Sequence, residues 1–211
     1  MERRDMPKGS PELTAARKDE IMNACEKLYQ KKIFKEITLQ DISRETSFTR
    51  TSIYNYFETK EEIFLELFKR EYDLWTGDIE KLTDKVGEYS REELALEIAG
   101  SLQKRKLLLK LLSVNLYDLE ENSRMERLVN FKTAYGNSKK ALWKLIRKCY
   151  PELKDYEIKD FIKMFLPYLH GIYPYAFATN KQIEAMDRVG IEYEKTTIKE
   201  LVYLGLMKLL P

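Results

Sequence analysis

The sequence predicts an all-α fold in which a small N-terminal three-helix module precedes a larger helical body. Three observations lead there. Apolar residues recur every three or four positions along most of the chain, as at Ile21, Ala24, Cys25, Leu28 and Tyr29, the period of a helix with one buried face. Several segments open on Ser or Thr with an acid three residues later: Thr38 with Asp41, Thr59 with Glu62, Ser90 with Glu93. That is the capping pattern of helix N-termini. Strand-like alternation is absent, and 8 Gly and 6 Pro in 211 residues are too few for a sandwich built from many turns.

The elements follow in order. Residues 1–13, with Pro7, Gly9 and Pro11, read as a flexible arm. A first amphipathic helix is expected from Thr14 to Lys32, then a short connection from Ile33 to Ile37. Thr38 opens a short helix that ends near Glu45. After a turn at Thr46, Ser47 and Phe48, Thr49 opens another, through Tyr54 or Asn55. Thr59 then starts the long TKEEIFLELFKREYDLW helix. Two short helices joined by a tight turn, with longer ones on either side, is helix-turn-helix organisation. The expected division is 1–13 arm, 14–60 helix-turn-helix domain and 61–211 helical body. Within that body, helices are expected from Ser90 and over 104–118, 124–149, 155–178 and 194–210. Interior Pro167 and Pro174 predict a bend or break in PYLHGIYP.

Composition narrows the function classes. A formal net charge of +2 leaves any nucleic-acid binding to a local patch. Cys25 and Cys149 form no CxxC pair, which argues against a disulfide framework or a zinc site. The apolar run LLLKLLSVNL is interrupted by Lys110 and too short to span a bilayer, so a cytoplasmic protein with no membrane partner is expected. His170 is the single histidine, sits on an apolar helix and reads as a packed residue. With no HExxH, metal-ligand cluster or phosphate loop, neither catalytic residues, metal nor cofactor is expected, and the chain does not read as an enzyme.

The stretch FTRTSIYNYFETKEEIF carries the strongest functional signal. In a helix-turn-helix the second short helix enters the major groove and its first residues reach base edges. Thr49, Arg50, Thr51 and Ser52 would be exposed there, with Arg50 able to read guanine through its forked donors. Ile53 and Phe57 would face inward with Phe48, onto Leu39 and Ile42, while Tyr54, Asn55 and Tyr56 present polar tips to phosphates. Lys60 and the free amides of the next helix favour an anion.

TLQDISRETSFTRTSIYNYFETKEEIF closely resembles the DNA-binding signature of the tetracycline-repressor (TetR) family, over roughly residues 14–65. The resemblance implies phosphate contacts from Thr38 and Lys60, recognition contacts from Thr49, Arg50, Thr51 and Tyr54, and backbone contacts from Asn55 and Tyr56. Two positions depart from the pattern. Ser47 stands where glycine is usual, which predicts a strained turn near the left-handed region, and Thr51 stands where many members carry glycine.

The resemblance also implies that the body, 61–211, binds a small molecule and forms a dimer. Apolar stripes suit the dimer: Phe161, Phe165, Leu169 and Ile172 on one helix, Ile198, Leu201, Val202, Gly205 and Leu209 on the last, where Gly205 lets a helix approach closely. Phe131, Tyr135, Trp143, Phe165 and Tyr168 are the candidate ligand contacts, suited to an apolar or flat effector, including a cationic one. The reading is a ligand-responsive regulator, a repressor that binds a pseudo-palindromic duplex operator as a homodimer. The alternative is a helical protein-interaction regulator that keeps the module as a scaffold, which would have no need of Arg50 and Lys60.

Overall fold

The computed structural model describes residues 10–85, 89–114 and 116–210; the expected arm over residues 1–9 lies outside them. The described residues form helices α1 (Pro11–Lys31), α2 (Leu39–Arg44), α3 (Arg50–Ile53), α4 (Lys60–Asp84), α5 (Arg91–Lys104) and α6 (Lys106–Leu112). Five more follow: α7 (Leu116–Glu121), α8 (Met125–Cys149), α9 (Asp155–Ala176), α10 (Asn180–Arg188) and α11 (Ile198–Leu209). A 3-10 turn, Phe34–Glu36, separates α1 from α2. No strand occurs among the described residues. The chain divides into two compact units, one of residues up to Arg70 with 116–132, the other of 71–114 with 133–210.

In the first unit α1 starts earlier than its apolar period suggests. Ser10 accepts a hydrogen bond from the Leu13 amide and Pro11 occupies the first turn, where its missing N–H costs nothing. The core is aromatic: Tyr29 and Phe34 meet Phe64 edge-on at 5.0 and 4.8 Å. Phe68 lies 5.0 Å from Phe131. Ile42, Ile53 and Phe57 are fully buried, the inward face expected of a helix-turn-helix.

The turn between α2 and α3 needs no left-handed residue. Gly190 alone has positive φ among the described residues, so the strain expected at Ser47 does not arise. Hydrogen bonds hold the turn instead, with the Ser47 amide donating to Glu20 at 2.6 Å and the Phe48 amide to the Thr46 hydroxyl at 3.3 Å.

The start of α4 is clamped from further along the chain. Thr59 caps it, accepting from the Glu62 amide at 3.2 Å, and donates its own hydroxyl proton to the Asn122 carbonyl at 2.9 Å. Glu62 does not complete that capping box. Its carboxylate, wholly buried, accepts the amides of Glu58 and Arg124 and both arms of the Arg124 guanidinium at 2.6 and 2.7 Å. Burial pushes the Glu62 carboxyl up, but these four donors outweigh it and hold it below the usual glutamate value. Arg127 repeats the pattern, binding Glu66 at 2.8 Å and the Tyr56 carbonyl at 2.9 Å.

In the second unit the packing is apolar. Phe161, Phe165, Leu169, Ile172, Ile198 and Val202 are at most 2% exposed within the single chain. The stripes expected at a dimer interface are therefore this unit's own core. Leu201, Gly205 and Leu209 are half-buried beside them. Gly205 does permit a close approach, but of Tyr168: a Cβ there would fall 2.4 Å from the ring. The Tyr168 hydroxyl donates to the Leu201 carbonyl at 2.7 Å, tying α9 to α11. Arg91 closes the far end of α11, donating to the carbonyls of Met207 and Leu210 at 3.0 and 2.6 Å.

Helix α9 runs unbroken through Pro167 and Pro174. Both prolines are exposed, on the outer side of the helix, where the loss of an intrahelical hydrogen bond is tolerated. Helix α10 lies where no helix was expected, and a Thr179/Gln182 capping box opens it.

Candidate nucleic-acid interface

Helices α2 and α3 are short, and side chains define their starts. The Thr38 hydroxyl accepts from the Asp41 amide at 3.1 Å, and the Asp41 carboxylate accepts from the Thr38 amide and hydroxyl at 3.1 and 2.9 Å. The hydrogen bonds from Thr38 hold the Asp41 carboxyl below its usual value. Thr49 caps α3 by accepting from the Ser52 amide at 3.2 Å. Helical turns continue past α3, since the amides of Tyr56 and Phe57 donate to the Ile53 carbonyl at 2.9 and 3.0 Å.

Thr49, Arg50, Thr51, Tyr54 and Asn55 stand exposed on this segment. Arg50 donates to the Tyr54 hydroxyl at 3.1 Å with its guanidinium 5.8 Å from the ring centre, so the two form one pre-oriented pair. Tyr56 is the exception, at 7% exposure. Its ring packs in the core, 6.2 Å from Phe48, and its hydroxyl accepts from Arg17 at 3.0 Å while keeping its own proton to donate.

Thr38, Arg50 and Lys60 come together around one cleft of about 480 Å³, which Lys35 and Gln40 also line. Lys60 is oriented rather than free. Its ammonium donates to the carbonyls of Phe34 and Ile37 at 3.0 Å each, and lies 4.3 Å from the Phe34 ring centre. An ammonium has three protons, so one is left for an anion. Lys35 and Gln40 carried no signal in the sequence, because only the 3-10 turn brings Lys35 beside the caps of α2 and α4.

The second unit holds a groove of about 570 Å³ between α8 and α9. Of the five aromatics proposed for a ligand, Tyr135 and Trp143 line it. The other three are elsewhere: Phe131 packs on Phe68, Phe165 stacks on Phe161 at 5.4 Å, and Tyr168 is bonded to α11. Lys139, Lys140, Lys159 and Lys163 also line the groove, which disfavours the cationic ligand that aromatics alone suggest. The Lys159/Lys163 pair was legible as like charges four apart on one helix, an arrangement that costs stability unless it serves something else. His170 is half-buried; burial lowers its pKa, against a hydrogen bond to the Leu112 backbone.

An all-α chain that presents a capped, polar, arginine-bearing short helix from such a module is a helix-turn-helix DNA-binding protein. Comparison with known proteins agrees. Residues 21–67 match the model of bacterial regulatory proteins of the tetR family, and 69–209 that of the tetracyclin repressor-like C-terminal domain. The chain belongs to this family of DNA-binding transcriptional regulators, which are not enzymes.

PfmR, a TetR family regulator of Thermus thermophilus, has a similar fold: TM-score 0.59 and 14% identity over 90% of this chain and 96% of that one. A transcriptional regulator of Aquifex aeolicus VF5 gives TM-score 0.55 and 18% identity over 90% and 98%. The MbdR regulator of Azoarcus sp. CIB gives 0.55 and 16% over 91% and 96%. At these identities the likeness is one of fold. YfiR of Bacillus subtilis (strain 168), an HTH-type transcriptional regulator, is 32% identical over 68 residues, 30% of this chain and a third (33%) of that protein's length. Among the described residues no helix is long and apolar enough to cross a membrane.

Proposed function

We propose that the protein is a ligand-responsive repressor that binds a pseudo-palindromic operator as a homodimer. The observation that carries the DNA contacts is the cleft where Thr38, Arg50 and Lys60 meet beside the exposed Thr49, Thr51 and Tyr54. Arg50 reads a base edge, while Lys60 and Lys35 hold phosphates and set the register, joined by Thr38 when its hydroxyl proton turns from Asp41 to the phosphate. Asn55 and the Tyr56 hydroxyl add backbone contacts.

The dimer forms through the outer face of α9 and α11, not through the buried stripes. Met164, Gly171 and Tyr175 lie seven and four residues apart on one strip of α9. Met164 is 51% exposed, Tyr175 74% and Leu204 of α11 60%, an apolar surface that a two-fold partner would cover. An effector represses or relieves only through its different affinity for the operator-bound and free states, and about 1–3 kcal/mol of coupling gives a several-fold to hundred-fold response.

The test is selection of bound duplexes from a random library at two salt concentrations. The expected result is a two-fold-symmetric site whose affinity falls steeply as salt rises. Failure to enrich any site would sink the reading and favour the scaffold alternative.

A further inference from the structure

The α8/α9 groove combines an apolar floor with a cationic rim. Its floor is apolar: Ile162 and Leu166 are 4% and 5% exposed, and the half-buried rings of Tyr135 and Trp143 lie beside them. Its rim is cationic on both walls, with Lys139 and Lys140 on α8 and Lys159 and Lys163 on α9, and no carboxylate lines it.

None of the four lysines has an ion pair among the described residues. The Lys139 ammonium lies over the Tyr135 ring, 5.6 Å from its centre. Asp155, four residues before Lys159 and its natural helical partner, is bound instead by Arg147 at 2.5 Å. In a chain whose formal net charge is only +2, four lysines around one depression that no carboxylate lines leave a locally positive field.

We infer that this groove binds a small amphiphilic anion, a carboxylate or phosphate on an aromatic or acyl body, and that this is the effector class. The inference rests on the ligand-responsive reading above. About 570 Å³ is the size of a small-molecule site. The rings of Tyr135 and Trp143 take the apolar body, and the lysines on the two walls converge on its charged head. The groove uses Lys159, Ile162, Lys163, Leu166 and Pro167 of α9; Pro167 alone borders the strip of Met164, Gly171 and Tyr175, so ligand and dimer partner take neighbouring faces of the helix.

The experiment is calorimetric titration of the full chain with 2-naphthoate and octanoate, against neutral 2-naphthamide, cationic 2-naphthylmethylammonium and inorganic phosphate. The titrations are repeated on the double variant Lys140→Ala/Lys163→Ala; both sites are exposed, so folding is preserved. Either carboxylate should bind, the amide and ammonium at least ten-fold more weakly, and the double variant at least ten-fold more weakly than the parent. A preference for naphthoate assigns an aromatic body, and a preference for octanoate an acyl one.

Binding of the ammonium as tightly as the acid, binding unchanged in the double variant, or phosphate alone binding as well as the carboxylates would each overturn the inference. Duplex affinity is then measured with and without the bound carboxylate. A lysine-dependent site that leaves duplex affinity unchanged keeps the anion groove and overturns its role as effector site. Carboxylates that fail to bind a protein that still selects its operator overturn the groove and leave the DNA reading standing.

Discussion

The two lysine-lined depressions differ in how their cations are held. At the cleft of the first unit, Lys60 is fixed by two carbonyls and a ring, and Arg50 by the Tyr54 hydroxyl. At the α8/α9 groove of the second unit, four lysines have no carboxylate partner among the described residues. The surroundings differ in the same way. Charge clamps such as Glu62–Arg124 and Arg127–Glu66 organise the first unit, while apolar stripes with one tight Tyr168–Gly205 contact organise this part of the second. Pre-oriented cations suit a fixed, repeating phosphate backbone. Free ones suit a small anion that brings its own geometry.

The contrast breaks most visibly at Arg124. Arg124→Ala leaves the buried Glu62 carboxylate with two amide donors, and should cost about 2–3 kcal/mol of stability. Denaturant unfolding reads this, and a change under 0.5 kcal/mol would mean the clamp is incidental. Arg50→Ala should leave stability intact but weaken operator binding by about 1–3 kcal/mol and relax base preference at one position. Gel-shift titration on the selected site and its point variants checks it.

Gly205→Ala tests the apolar side. The new methyl meets the Tyr168 ring and should cost about 1–3 kcal/mol, whereas Gly100→Ala in α5, with nothing within 4 Å, should be neutral or stabilise by about 0.5–1 kcal/mol. Their melting temperatures should therefore move apart.

Lys60→Ala sharpens the contrast between cations. Loss of two charged hydrogen bonds should destabilise by about 1–2 kcal/mol, and the salt slope of duplex binding should fall by about one unit. Lys163→Ala should change stability by less than about 0.5 kcal/mol. Equal effects in the two variants would erase the distinction.

The smallest effect is at His170. Its folded pKa is lowered from 6.5, so its contribution is intact above pH 6.5 and is lost as pH falls through the folded value. Urea midpoints should decline below pH 6.5 by less in His170→Asn than in the parent. An unchanged decline would assign it to other groups.

Caps explain why so much of the helical layout was legible. Thr38/Asp41 and Ser90/Glu93 are local patterns whose hydrogen bonds close within three residues, so no tertiary context is needed to read them. Thr179/Gln182 and Ser10-Pro11 were equally local signals, and reading them would have placed α10 and the true start of α1. An apolar stripe, by contrast, says that a face is buried without saying against what. That is why the Phe161 to Ile172 stripe suggested a partner subunit when its own unit buries it.

The sequence by itself determined the all-α class, the helix-turn-helix and the exposure of Thr49, Arg50, Thr51, Tyr54 and Asn55, because periodicity, caps and short-range motifs carry that information. Only the tertiary structure decided that Glu62 serves Arg124 rather than its own cap. It also decided that Gly205 admits Tyr168, and that Lys139, Lys140, Lys159 and Lys163 gather at one groove. Each joins side chains from segments whose spacing in the chain carries no period, so the contact exists only once the helices pack.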